Sequence, residues 1–266
     1  MQNKKVLVIS SEVIPYLPQS ERSINSFKIP KSINDAGGQT RIFMPRYGLI
    51  NERRHQLHEV IRLSGMNLVI NDMDMPLIIK VASIPKERMQ VYFIDNDEYF
   101  KRKHMLHDGD GKLFEDNDER MIFFTKGVIE TVKKLNWSPD IILLHGWFTA
   151  LFPLYMKTYF AEDPIFEQSK LVTALYENDL NGDLAADIKD KIAFDQIDED
   201  LTALETPNYN ALMELAIRYS DGLVLASDAV DPAIVAQAEA SGLPLLKHAD
   251  TAAENAYVEF FNTQFL

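Results

Sequence analysis

The chain has 266 residues, 46% of them hydrophobic and 25% charged, a composition that supports one sizeable globular core. Its formal charge of −13 repels the phosphates of nucleic acids and anionic lipids, so no nucleic-acid or membrane partner is expected. The lack of cysteine excludes disulfides, thiolate metal sites and cysteine nucleophiles. The opening MQNKKVLVIS enters a strand at once, without a secretory leader pattern, and no apolar run reaches the ~18 residues of a membrane span. A cytoplasmic location is the resulting expectation.

Lys5–Ile9 is a β-branched run that reads as a buried strand. A helix is expected over Ser23–Asp35, kinked or restarted at Pro30 and ended by Gly37 and Gly38. Arg41–Met44 reads as a second strand, stopped by Pro45. Strand, helix and strand within 45 residues make a βαβ unit with a parallel, right-handed crossover. Glu59–Ile84 reads as two or three short antiparallel strands, and Val91–Ile94 as another.

The acidic loop Asp108–Asp118 resembles a calcium loop only superficially. Lys112 and Leu113 occupy positions where an EF-hand needs an oxygen ligand and a glycine. Met121, Phe124, Val128, Val132 and Leu135 then form one apolar helical stripe, with Asp116, Asp118 and Glu119 suiting the helix N-terminus. Asp140–Leu144 and Leu171–Leu175 read as strands, and Phe148–Met156 as a helix. Asn210–Tyr219 is a further helix, Gly222–Ala226 a strand and Pro232–Ala240 a helix. This alternation predicts an α/β fold with a doubly wound, Rossmann-like parallel sheet, whose ligands would sit beyond the carboxyl ends of the strands.

At those ends lie motifs that resemble the glycogen and starch synthase family. Ser10-Ser11-Glu12-Val13-Ile14-Pro15-Tyr16 is similar to the family's SSEVAPF, and Met44-Pro45-Arg46-Tyr47-Gly48 to its MPRYG turn. Val91–Asn96 with Glu98-Tyr99-Phe100, Asp116–Phe124, Trp137–Ala150 and Asn210–Asp228 follow further family motifs in order. The resemblance covers the N-terminal domain of the family. It implies the fold of the N-terminal half of a GT-B glycosyltransferase and a family activity of glucosyl transfer from ADP-glucose to an α-1,4-glucan. It also implies one domain over residues 1–266, with the second, nucleotide-sugar domain absent.

Three loops depart from the family pattern. Where the family has KTGGL, with glycines that let backbone amides approach the sugar nucleotide, this chain has Pro18-Gln19-Ser20-Glu21-Arg22. The family's acid a few residues further on is Ile24. In the HDWHT motif His145 and Trp147 remain, but the acid is Gly146 and the second histidine Phe148. In the TIHNLAYQG motif Tyr176 replaces the histidine and Glu177 the asparagine. A phenol with a pKa near 10 cannot act as an imidazole at neutral pH.

No catalytic residue, cofactor or metal is therefore expected, and His104 and His107 beside Asp108 are read as solvated loop residues. Glu12, Tyr16, His145, Trp147, Tyr176 and Asn181 are the candidate sugar-binding residues. The sequence leaves three readings. One is a non-catalytic homologue that binds α-glucan or a glycogen-metabolism protein. The second is a half-enzyme completed by another chain, and the third is a diverged small-molecule-binding domain.

Overall fold

A computed structural model describes residues 1–87, 89–253 and 255–266. The chain opens with β1 (Lys5–Ser10), α1 (Glu21–Asp35) and β2 (Gln39–Pro45). Short α2 (Glu52–His55) and β3 (His58–Glu59) precede a hairpin of β4 (Met66–Ile70) and β5 (Met73–Ile84). Then come β6 (Met89–Asp95), α3 (Asp97–Phe100), the long α4 (Asn117–Lys134), β7 (Ile141–His145), α5 (Leu151–Lys157) and β8 (Lys170–Leu175). The last part holds α6 (Ile188–Phe194), α7 (Tyr209–Tyr219), β9 (Gly222–Leu225), α8 (Pro232–Ala240), β10 (Leu245–Leu246), α9 (His248–Thr251) and α10 (Ala256–Gln264).

The sheet runs β10-β9-β8-β7-β1-β2-β6-β5-β3, with β4 paired to β5. Pairings from β10 to β6 are parallel, and those of β5 with β6, β4 and β3 are antiparallel. The four strands expected to share a sheet do so. β1, β7 and β8 are fully buried or nearly so along their length, which is why they read as unbroken apolar runs and not as alternating ones.

The chain winds outward from β1 through β2 to β6, then returns to β7 on the other side of β1. Right-handed crossovers therefore place α1 on one face of the sheet and α4, α5 and α7 on the other. The packing agrees, since α1 contacts β1, β2 and α10, while α5 contacts both α4 and α7. The gap between the carboxyl ends of β1 and β7 is the topological switch point, where folds of this kind hold ligands.

Several boundaries differ from expectation for local reasons. Helix α1 begins two residues early because Ser20 caps it, the hydroxyls of Ser20 and Ser23 each accepting from the other's backbone N–H. It then runs through Pro30 as one helix, with that ring buried. Pro45 is the last residue of β2, not the residue that stops it. Residues 148–156 are not one helix: a single tight turn at Trp147–Thr149 precedes α5. In the acidic loop the Asp108 carboxylate accepts from the backbone N–H groups of Asp110 and Lys112 and so closes its own turn.

Candidate functional site

The switch point is filled by protein. Arg22, in the first turn of α1, points back across the end of β1, and its side chain is only 6% exposed. Its Nη1 donates to Glu12 Oε1 at 3.0 Å, and Nη1 and Nη2 grip the two oxygens of Asp179, each at 3.0 Å. Glu12 is itself held by the turn after β1, where Ser10 Oγ accepts from its N–H and donates to its carbonyl. Burial acts to lower the Arg22 pKa, but the carboxylates of Asp179 and Glu12 outweigh it and the net shift is upward. The guanidinium stays charged, in a bidentate geometry that only arginine offers.

Gly146 is what makes room for it. The residue has φ 75° and ψ −179°, a conformation essentially restricted to glycine. A Cβ added here would lie 2.5 Å from Arg22 Nε and 2.9 Å from Cζ. Any side chain at position 146, including the family's acid, collides with the arginine as it is placed. The guanidinium also lies 5.2 Å from the centre of the Tyr176 ring.

Tyr176 follows β8 and reaches under Arg22 to His145, the last residue of β7, which pairs with both Ser10 and Ala174. Burial raises the Tyr176 pKa well above its ordinary value, and its neutral hydroxyl is hydrogen-bonded with His145 Nδ1 at 2.7 Å. Asn25 Nδ2 approaches the same hydroxyl at 3.4 Å, and the Tyr209 hydroxyl donates to the Tyr176 carbonyl. His145 is fully buried. Desolvation, reinforced by the Arg22 charge, pushes its pKa down to about 3. A neutral imidazole, locked by a tyrosine and with no access to solvent, is poorly placed for acid–base work near neutral pH.

The six candidate residues part company. Glu12, His145 and Tyr176 converge around Arg22. Trp147 does not join them: it is fully buried, edge-on to Phe148 at 5.7 Å, and presents no free face to a sugar. Phe148, where the family has a second histidine, packs 5.6 Å from Phe124 of α4 and serves the core. Tyr16 is buried between His55 and Phe93, with ring centres 5.0 and 4.9 Å away. Asn181 is exposed, its side chain turned to the Asp179 carbonyl at 3.4 Å. Arg22, Asp179, Asn25 and Tyr209 were not singled out from sequence. A new arginine facing two acids across neighbouring loops was the available signal for the first two.

Two cavities remain open at this edge. A cavity of about 130 Å³ is lined by Glu12, Glu21, Arg22, Tyr176, Glu177 and Asp179, four carboxylates to one guanidinium. Beside it a cavity of about 320 Å³ runs from Arg22 to His104 and His107. His107 Nε2 lies 2.9 Å from the Leu180 carbonyl, which ties these loops together. Among the described residues no group of three or more histidine, aspartate or glutamate side chains could hold a metal, and no helix is long and apolar enough to cross a membrane.

The fold and the motifs around its switch point define the class, a Rossmann-like half of a GT-B glycosyltransferase. The family model for the starch synthase catalytic domain matches residues 5–246. The chain belongs to the starch synthase catalytic-domain family. It is 38% identical over 176 residues to a glycogen synthase of Chlorobium limicola, covering 66% of this chain and 36% of that relative. It is 34% identical over 197 residues to a glycogen synthase of Chlorobium luteolum, covering 74% of this chain and 40% of that relative. The chain thus spans well under half the length of these curated relatives. In fold it is similar to the catalytic domain of starch synthase IV from Arabidopsis thaliana, solved bound to ADP and acarbose, with TM-score 0.67 and 15% identity over 84% of this chain and 45% of that one.

Proposed function

We propose that this family member does not transfer glucose at its own cleft and keeps the scaffold to bind α-glucan. The observation that carries the first part is Arg22. It occupies the switch point with three hydrogen bonds to Glu12 and Asp179 and fits only because position 146 is glycine. To admit a sugar nucleotide, the chain would have to break a buried ion pair, at a cost of order 3–5 kcal/mol. It would also have to hold a diphosphate among four carboxylates and one already-paired guanidinium. The retained His145 is buried and neutral, so it does not stand in for the lost family histidines. Support for the glucan comes from the family and from its glycogen synthase relatives.

The reading is tested by thermal shift with ADP-glucose, ADP and maltoheptaose. A ligand present at 100 times its Kd stabilises by about 2.7 kcal/mol, several degrees of Tm for a chain of this size. The expected result is a rise with maltoheptaose and none with millimolar ADP-glucose or ADP. A rise with either nucleotide that disappears when Glu12 or Asp179 is replaced would overturn the closed-cleft reading.

A further inference from the structure

A groove of about 900 Å³ lies away from the switch point, between β4, the middle of α4, the residues after α5 and the loop after α6. It shares no lining residue with the two cavities of the cleft. We propose that it docks a partner protein, which adds an extended, basic segment as a strand to the free edge of β4. The proposal goes beyond glucan binding and does not depend on it.

The strand edge comes first. β4 pairs only with β5. The two are joined by the two-residue turn Asn71-Asp72, both residues at positive φ, so Ile70 and Met73 close the ladder by exchanging both hydrogen bonds. Pairs then alternate, and Asn67 and Val69, opposite Pro76 and Asp74, turn their backbone N–H and C=O groups away from β5. Two contacts agree with that orientation. The Val69 carbonyl accepts from Lys126 of α4 at 2.8 Å, and the Pro76 carbonyl accepts from Asn96, at the end of β6 on the other side of β5, at 2.9 Å. The N–H groups of Asn67 and Val69 have no acceptor among the described residues. The strand, Met66–Ile70, carries neither the charge nor the proline that commonly blunts an exposed edge. Met66 to Val69 all line the groove, so this open edge is one of its walls.

The opposite wall receives side chains. Among the described residues seven large hydrophobic side chains are exposed, and three of them, Val69, Tyr159 and Phe194, line this groove. A strand added to an edge is held by its main chain and selected by pockets for alternate side chains, which open rings supply. The Lys126 ammonium already sits 5.2 Å from the centre of the Tyr159 ring, so that ring takes an apolar group and not a second cation.

Charge selects the partner. The lining holds Glu130, Asp195, Asp198 and Glu199 against two lysines, and both lysines are paired, Lys126 with Asp195 and Lys157 with Asp221. Asp198 and Glu199 are exposed and form no ion pair among the described residues. An acidic segment therefore meets carboxylates and no free cation, in a chain whose formal charge is −13. A second copy of the chain, paired edge to edge about a two-fold axis, would set the same carboxylates against each other. A segment that alternates lysine or arginine with apolar residues meets neither penalty. Its main chain satisfies the β4 edge, its apolar side chains cover the rings, and its cations face Asp198 and Glu199.

The test is fluorescence anisotropy of the whole chain with fluorescein-labelled peptides of about seven residues that alternate lysine with valine or lysine with phenylalanine. A glutamate–valine peptide and a lysine–valine peptide N-methylated at every second residue serve as comparisons. The expected result is saturable binding of at least one lysine peptide, and none of the glutamate or N-methylated peptide. Binding should weaken roughly ten-fold in Tyr159→Ala, in Phe194→Ala and in Asp198→Lys, and not in Asp110→Lys, an exposed acid outside the groove. Val69→Pro, which removes one edge donor at a position where an edge strand tolerates proline, should weaken it as much. No saturable binding of either lysine peptide up to ~1 mM would overturn the proposal, as would binding that N-methylation, Val69→Pro and the aromatic variants leave unchanged. A dimer seen by sedimentation velocity that Val69→Pro dissolves would assign the edge to a second copy and overturn the basic partner. Glucan binding reads out separately, as the response to maltoheptaose.

Discussion

Replacing Gly146 by alanine should be far more damaging than the loss of one glycine usually is, and the damage should depend on Arg22. The backbone at position 146, with φ 75° and ψ −179°, holds a side chain only under strain, at about 1–3 kcal/mol. The new methyl would also press on Arg22 Nε from 2.5 Å, and the arginine is pinned by Glu12 and Asp179. Overpacking of that kind adds about 1–3 kcal/mol, for a total of about 2–6 kcal/mol. Urea unfolding reads this as a lower midpoint with an unchanged slope. The same substitution in a Glu12→Gln, Arg22→Leu background removes both partners of the buried pair and the atom that clashes. There it should cost only the backbone part, about 1–3 kcal/mol, giving a coupling of ~1 kcal/mol or more. A cost within ~0.5 kcal/mol in the parent chain, or an equal cost in both backgrounds, would refute the claim that Gly146 exists to seat Arg22.

Three further outcomes follow. His145 is held neutral in the fold with a pKa of about 3, whereas it titrates near 6.5 when unfolded, so its contribution is complete above pH ~6.5 and is lost as pH falls toward 3. Between pH 6.5 and 5 it should account for about 2 kcal/mol of lost stability, measured as the difference between the parent and His145→Gln urea midpoints at each pH; a difference that does not vary with pH contradicts the buried neutral assignment. Tyr176→Phe removes the hydroxyl hydrogen-bonded with His145 Nδ1 and should cost about 1–3 kcal/mol by chemical denaturation, with no cost telling against that hydrogen bond. Phe148→His, which restores the family's residue, should destabilise by about 2–4 kcal/mol because it buries a polar ring against Phe124 and Trp147; a neutral effect would mean that the position is not part of the core.

The scaffold was legible in the sequence because its strands are continuous apolar runs and its long helix carries a clear stripe. Met121, Phe124, Val128 and Val132 are all buried in α4 as their spacing requires. The C-terminal helix α10 was missed, although Tyr257, Phe260 and Phe261 have helical spacing and are buried. Its apolar residues come after the short, polar α9, and local pattern alone does not reveal that α1 offers a face for them.

The site was only partly legible. The changes at residues 18–22, 146 and 176 looked like separate losses on three loops. In space they meet: Arg22 needs Gly146 for room, Asp179 and Glu12 for charge, and lies on the Tyr176 ring. One linear sequence shows which residues changed but not that the changes contact one another. For the same reason a surviving Trp147 read as a sugar platform, when its neighbours Phe148 and Phe124 had enclosed it in the core.

The closed cleft is tested most directly by glucose incorporation from ADP-glucose into glycogen, measured for the chain alone and mixed with the separately produced C-terminal half of the Chlorobium limicola relative. Supplying that half removes length as an explanation, since the chain covers only 36% of that protein. With Arg22 seated at the switch point, both samples should stay at the level of the no-enzyme control. Incorporation above that level by the mixture would show that the cleft still admits donor and acceptor and that the chain is half of a working enzyme. Incorporation by the chain alone would contradict the account outright.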